Sequence, residues 1–380
     1  MASNYLETWW GRRWFVPVVH FDPREGVTVV EPPGSGPGYW AGAASVLYDC
    51  PTCAEAPPPR ASTSAAGGAT VPGCPPPDGG GTFSLYYRLR RPREEGRGYV
   101  CRVAQSKDGV EFATVWEARR EEFASPSVER AALVATPAGR FRLYLSLVDG
   151  TDGRWKVEVM EARSPAEFRP GERQRVLDPV ALGLAGVKDP YVMVLGGLYW
   201  ALLSYAPLPQ GREEAALHAT GDVYATGRTT SHTGLATSAD GFRFDWQGDV
   251  FSPVPGRWDA YAARIGTVVP AGAGFLAFYD GGASVEENYE EKCGLAVTLD
   301  LRHFHRVSVA GPFATSPHAS RSLRYLDAVV VGKEVCAYYE YARPDGSHEL
   351  RMSRLRLGPG ASATWTSGSS SHRAGWTKAL

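Results

Sequence analysis

An all-β fold, a five-bladed β-propeller, is predicted by three observations. Strand-like segments recur five times, Gly and Asp-Gly turns punctuate them, and no window of similar quality shows a capped 3.6-residue period. The first copy reads ASVLYD (44–49), TFSLYYRLRRP (82–92) and YVCRVAQSKDGVEF (99–112). The second reads SVERAALVATPAG (127–139), FRLYLSLVDG (141–150) and WKVEVMEARSPAEF (155–168). The third runs PYVMVLGGLYWALLSYAP (190–207) and, after a polar insertion, HTGLATSADGFRF (232–244). The fourth is ARIGTVVPAGAGFLAFYDGG (263–282) with CGLAVTLDLRHF (293–304), and the fifth YLDAVVVGKEVCAYYEYARPDG (325–346) with HELRMSRLRL (348–357). Two copies share S-x-D-G-x-x-F outright, at Ser106 to Phe112 and Ser238 to Phe244. The segments are rich in Val, Tyr, Phe and Leu, which suit a pleated, half-buried surface. Units recurring at roughly 50 to 70 residues, insertions allowed for, read as blades that bury their faces only against their neighbours around a central channel. A large β-sandwich is the competing reading, but it does not call for five-fold recurrence.

Segments outside the repeat have their own reading. FVPVVHF (15–21) has the pattern of one more strand, placed to complete the last blade and close the ring. Residues 50–81 are rich in Pro, Gly, Ser and Ala with almost no bulky apolar side chain, and are expected to be an unstructured loop insertion in the first blade. Residues 358–380 are similar in composition and are expected to be a flexible end, which leaves residues 1–357 for the propeller.

Composition bounds the partners. With 380 residues, 43% of them hydrophobic, the chain can bury a sizeable core. A formal net charge of -1 provides no field to hold a polyanion, so nucleic acid is not an expected partner. The opening MASNYLETWWGRRWF carries charges where a secretory signal has an apolar core, and no stretch approaches the ~18 apolar residues of a membrane span. The expectation is a soluble, cytoplasmic protein with no membrane partner, and a closed ring needs no second copy, so a monomer. Cys50, Cys53 and Cys74 suggest a zinc knuckle but lack a fourth ligand at the right spacing, whereas Cys101, Cys293 and Cys336 lie in apolar alternating segments as small buried hydrophobes.

In a propeller the innermost strand of each blade lines the channel, so polar residues at the starts of those strands converge on one central pocket. These are Trp40 before blade one, Ser127 and Glu129 in blade two, and Lys188 and Asp189 in blade three. Asp259 and Arg264 follow around blade four, and Arg324, Tyr325 and Asp327 in blade five.

The repeat, with VKDPYVM opening blade three and WDAYAARIG opening blade four, resembles the five-bladed superfamily that includes glycoside hydrolase families 32, 43, 68 and 130, over roughly residues 38–355. That resemblance implies a funnel-shaped pocket with carboxylates from different blades and a carbohydrate substrate. Asp189 stands where arabinanase-like relatives have an Asp that orients and tunes the acid. Asp259 falls near the general-acid Glu of those enzymes, one methylene shorter. Those families usually place an Asp at the start of the blade-one inner strand, whereas this chain has YWAGAASV there, with no carboxylate before Asp49. Glu129 is the first choice to replace it. Family 130 implies phosphate as the attacking group, with Arg264 or Arg324 to bind it.

The chemistry itself asks for two acids in different environments, one protonated to assist the leaving oxygen and one ionised as base or nucleophile. Asp189, Asp259 and Glu129 are the candidates, with Trp40, Arg264, Arg324 and Tyr325 as substrate-binding groups. Each has a plainer reading: a turn cap for Asp189, a loop acid for Asp259, a solvated Glu129–Arg130 pair, and packing rings for Trp40 and Tyr325. Glu340 and Arg343 read as a strand-edge pair, His232 as a loop histidine, and Glu286, Glu287, Glu290 and Glu291 as a solvated acidic loop. No cofactor is called for, since the oxygen ligands of a channel calcium are not identifiable. A non-catalytic carbohydrate-binding propeller is the alternative, motivated by the missing blade-one Asp.

Overall fold

The computed structural model describes residues 19–49, 80–211, 215–271, 274–332 and 334–357. The insertion expected at 50–81, apart from its last two residues, and the tail at 358–380 lie outside them, as do Cys50, Cys53 and Cys74. Among the described residues no helix is long and apolar enough to cross a membrane.

Five antiparallel four-stranded units follow one another. Blade one is β3 (Trp40–Asp49), β4 (Thr82–Arg90), β5 (Gly98–Ser106) and β6 (Ala113–Arg119). Blade two is β7 (Val128–Ala135), β8 (Phe141–Val148), β9 (Trp155–Ala162) and β10 (Gln174–Leu177). Blade three is β11 (Leu184–Leu195), β12 (Leu198–Pro207), β13 (His232–Ser238) and β14 (Asp245–Phe251). Blade four is β15 (Ala262–Ala271), β16 (Gly274–Gly282), β17 (Lys292–Thr298) and β18 (Phe304–Arg306). Blade five takes β19 (Leu323–Val331), β20 (Glu334–Ala342) and β21 (His348–Leu357) from the end of the chain. Its outer position is filled from the beginning of the chain, by β1 (Val19–His20) and β2 (Val27–Val30), both antiparallel to β21. Of the segment expected at 15–21, residues 15–18 lie outside the described residues, Val19 and His20 pair with β21, and the rest of the described closing strand is Val27–Val30.

Five apolar layers lie one between each pair of neighbouring blades, the fifth joining blade five to blade one, and a sixth cluster around Trp155 and Tyr224 packs the insertion of blade three against blades two and three. This is the physical reason for the repeat: no blade buries its own faces, so each depends on two neighbours. Cys101, Cys293 and Cys336 each sit buried in one of these layers.

The S-x-D-G-x-x-F repeat is the turn from third to fourth strand. In blade one Ser106 Oγ accepts from Gly109 N at 2.9 Å and Asp108 Oδ1 from Val110 N and Glu111 N, both at 2.9 Å. Ser238 and Asp240 repeat these bonds in blade three. Thr298 and Asp300 do so in blade four, where Leu301 takes the glycine position at φ 61. A side chain that accepts from the backbone two or three residues on closes such a turn without a ladder. The turns also tie blades together, since Tyr338 of blade five donates to Gly109 O at 2.7 Å and Tyr144 of blade two to Gly241 O at 2.9 Å.

Deleting residues 19–30 is expected to leave β21 an open edge and to unseat blade five from its closing strand. Size-exclusion chromatography is expected to show concentration-dependent aggregates, and calorimetry the loss of a single cooperative transition. A monodisperse, cooperatively unfolding deletion would show that closure needs only the apolar layer between blades five and one.

Candidate active site

Each inner strand departs from regular pairing at one shared level, and β11 does so a second time between Leu184 and Gly186. The shared register shifts lie between Gly42 and Ser45, Val128 and Ala131, Lys188 and Tyr191, Ile265 and Thr267, and Arg324 and Asp327. A bulge inserts one residue and re-aims its side chain. Ala43, Asp189 and Tyr325 occupy this level with left-handed φ values of 57°, 50° and 51°. Strained non-glycine backbone of this kind persists where surrounding structure holds it, and it concentrates at functional sites.

Six of the seven candidate residues meet around the axis. Asp189 places Oδ2 at 3.3 Å from Lys188 Nζ and accepts from the Tyr325 hydroxyl at 3.4 Å, while its Oδ1 is buried with no hydrogen-bond partner. At the other end of Tyr325 the backbone N donates to Asp280 Oδ1 at 2.9 Å. Burial, followed by the nearby charge of Glu291, pushes the Asp280 carboxyl up to about 7.

Around this pair runs a chain of alternating charge. Arg264 binds Glu291 at 2.7 Å, Glu291 binds Arg324 at 2.8 Å, and Arg324 binds Glu340 at 2.7 Å. Glu340 meets Arg88 at 3.1 Å, Arg88 binds Glu129 at 2.8 Å, and Glu129 binds Arg90 at 3.0 Å. All seven side chains are buried. Burial pushes the Glu129 and Glu291 carboxyls up, but the paired arginines outweigh it and hold both at about 2. Glu340 is likewise held far below the usual carboxylate range, against burial, by Arg324 and Arg88.

The network redefines several sequence candidates. The donor edges of Arg264 are engaged: Nε by Ser231, Nη1 by Glu291 and Nη2 by Asn288 Oδ1, each at 2.7 Å. Arg324 is committed to Glu291 and Glu340. Trp40 is buried, with the Arg90 and Arg324 guanidinium carbons 4.6 and 4.7 Å from its ring centroid and His348 stacked at 4.9 Å. Glu129 is not half of a solvated pair with Arg130, which instead donates to Gly266 O at 2.6 Å.

Asp259 is not brought to the group. Its carboxylate is buried beside the outer part of blade four, where it pairs with Arg306 at 2.7 Å and accepts from Tyr279 at 3.1 Å. Asp49 lies exposed at the far end of β3, and Ala43 holds the blade-one bulge. His232 sits apart, with its Nδ1 3.2 Å from Asp249.

Two expectations about surface acids are corrected by burial. Glu340 is a fully buried member of the network, not a strand-edge partner of Arg343, which pairs with Glu31. In the acidic loop, Glu291 is buried between two arginines and Glu290 meets His348 Nε2 at 3.0 Å, while Glu286 stays exposed. The same loop sends Tyr289 to Asp222. Arg88, Arg90 and Asp280 were missed because they lie on second strands. The available signal was their charge within otherwise apolar runs, TFSLYYRLR and GFLAFYDGG.

No protein-family profile and no curated protein sequence matches the chain. Solved structures do. A β-1,2-mannobiose phosphorylase from Listeria innocua superposes with a TM-score of 0.52 at 14% identity, over 90% of this chain and 97% of that one. A glycosyl hydrolase from Bacteroides ovatus gives 0.55 at 13% identity, over 91% and 97%. An α-L-arabinofuranosidase from Lactobacillus brevis gives 0.51 at 12% identity, over 71% and 86%. Likeness at these identities is a likeness of architecture, and the chain has the five-bladed β-propeller fold of these glycoside hydrolases and phosphorylases.

Proposed function

We propose that the protein cleaves a glycosidic bond at the propeller axis, with Asp189 as the ionised carboxylate and Asp280 as the protonated one. The observation that carries this reading is Asp189: a buried carboxylate on strained backbone, oriented through Oδ2 by Lys188 and Tyr325, with Oδ1 unpartnered. Asp280 meets the complementary need, since a carboxyl held up at about 7 keeps its proton near neutral pH and can pass it to a leaving oxygen. Glu129, saturated by two arginines, is a positioning residue in this scheme. The full engagement of Arg264 supports water over phosphate as the attacking group. Ala43 favours a second reading, a carbohydrate-binding propeller without turnover, because blade one contributes no carboxylate at its bulge.

The test is turnover of a panel of aryl furanosides and pyranosides with and without phosphate. Activity without phosphate supports hydrolysis, and binding without turnover supports the second reading. If Asp280 is the proton donor, kcat/KM on phenyl glycosides falls as pH rises above about 7. Dinitrophenyl glycosides need no proton on departure, so Asp280→Asn is expected to retain activity on them and to lose the alkaline limb. An unchanged limb in Asp280→Asn removes Asp280 from that role.

A further inference from the structure

Blade one lacks a carboxylate at its bulge, yet its second strand and the following turn carry three buried guanidinium groups. Arg88, Arg90 and Arg97 are 0%, 4% and 6% exposed. Each has an N–H without a hydrogen-bond acceptor: Nη1 of Arg88, Nε of Arg90 and Nε of Arg97. Trp40, 4% exposed and packed on Arg90, adds an unpartnered Nε1–H. Arg90 and Arg97 are further linked through Tyr289, which stacks under the Arg90 guanidinium at 4.6 Å and bonds Asp222, the partner of Arg97.

Charge on this side is also incomplete. The three arginines have two carboxylates of their own, Glu129 and Asp222. Glu340, the third within reach of Arg88, is claimed as well by Arg324 and His348. Buried donors without acceptors are costly, and guanidinium N–H groups match carboxylate oxygens.

Resting on the catalytic reading above, we infer that the sugar bound at the axis is a uronic acid, its carboxylate held on the blade-one side by Arg88, Arg90, Arg97 and the Trp40 indole N–H. A neutral sugar offers hydroxyls, which satisfy such donors but leave the excess positive charge uncompensated.

The test is calorimetric binding of methyl glucuronoside and methyl galacturonoside against methyl glucoside and methyl galactoside, with inorganic phosphate as a separate ligand. Wild type is expected to bind a uronoside at least ~10-fold more tightly than its neutral counterpart, a charge-assisted difference. Arg97→Gln is expected to erase that ratio, and Arg97→Lys to keep part of it, each checked for folding by its Tm. Equal affinity for charged and neutral sugars overturns the inference, as does binding of neither or a ratio that survives Arg97→Gln. Phosphate binding as tightly as a uronoside also overturns it, since the donors then serve a free anion. Uronoside preference without turnover of any glycoside would sink the catalytic reading alone, and turnover of neutral glycosides without uronoside preference would sink this one alone.

Discussion

Asp189→Asn is expected to lower kcat/KM by about 10²–10⁴-fold on any glycoside the protein turns over, the range for removing a positioned acid or base. Asn keeps the size of the side chain but leaves the buried Lys188 without its carboxylate, so stability is expected to fall as well, although Lys188 retains its places over the rings of Trp155 and Tyr224, at 5.0 and 4.8 Å. Steady-state kinetics below the melting temperature of the variant, beside a melting curve, separates the two effects. Activity of the folded variant within a few-fold of wild type would move Asp189 from catalysis to structure.

Glu340→Gln is the counterpart with the largest expected effect on stability. It leaves Arg88, Arg324 and His348 buried around a neutral amide, and breaking a buried ion pair from one side costs about 3–5 kcal/mol. Glu334→Gln removes the half-exposed partner of Arg354 and is expected to cost about 0–1 kcal/mol. Urea denaturation of the two variants measures the contrast, and equal costs would mean that the network carries no net charge dependence. The sign with pH follows from folded-state pKa values held below 4.5 for Glu129, Glu291 and Glu340. Their stabilisation is fully present above about pH 4.5 and is lost as pH falls toward about 2. Asp280 acts in the opposite sense: raised from 3.8 to about 7, it favours folding most below pH 3.8 and gives that up as pH rises through 7.

Much of the architecture is legible in the residues themselves. Strand chemistry recurring five times implies blades, and blade neighbours supply the apolar layers that each copy lacks alone. Glu129, Asp189, Arg264, Arg324 and Tyr325 were reached the same way, because the start of an inner strand has one destination in a closed ring. The rest depends on which groups pair across the axis. Arg88 and Glu340 are 252 residues apart in number and occupy different blades, yet meet at 3.1 Å. Asp259 stands just ahead of an inner strand, where Glu129 stands at the start of one, but Arg306, 47 residues later, draws the Asp259 carboxylate outward. Leu301 at φ 61 hides a third copy of the Asp-Gly turn from any search for glycine.

Blade five is assembled from both ends of the described chain, with Val27 opposite Met352. During synthesis, at about 5–20 residues per second, β2 therefore waits roughly 15 to 65 s for the strand it will pair with. Four blades can form in sequence behind the ribosome while the final seam stays unsewn, with one face of blade one and the newest blade edge both bare. For that interval the nascent protein is an open arc, and its exposure to aggregation and to chaperones is set by the clock of translation.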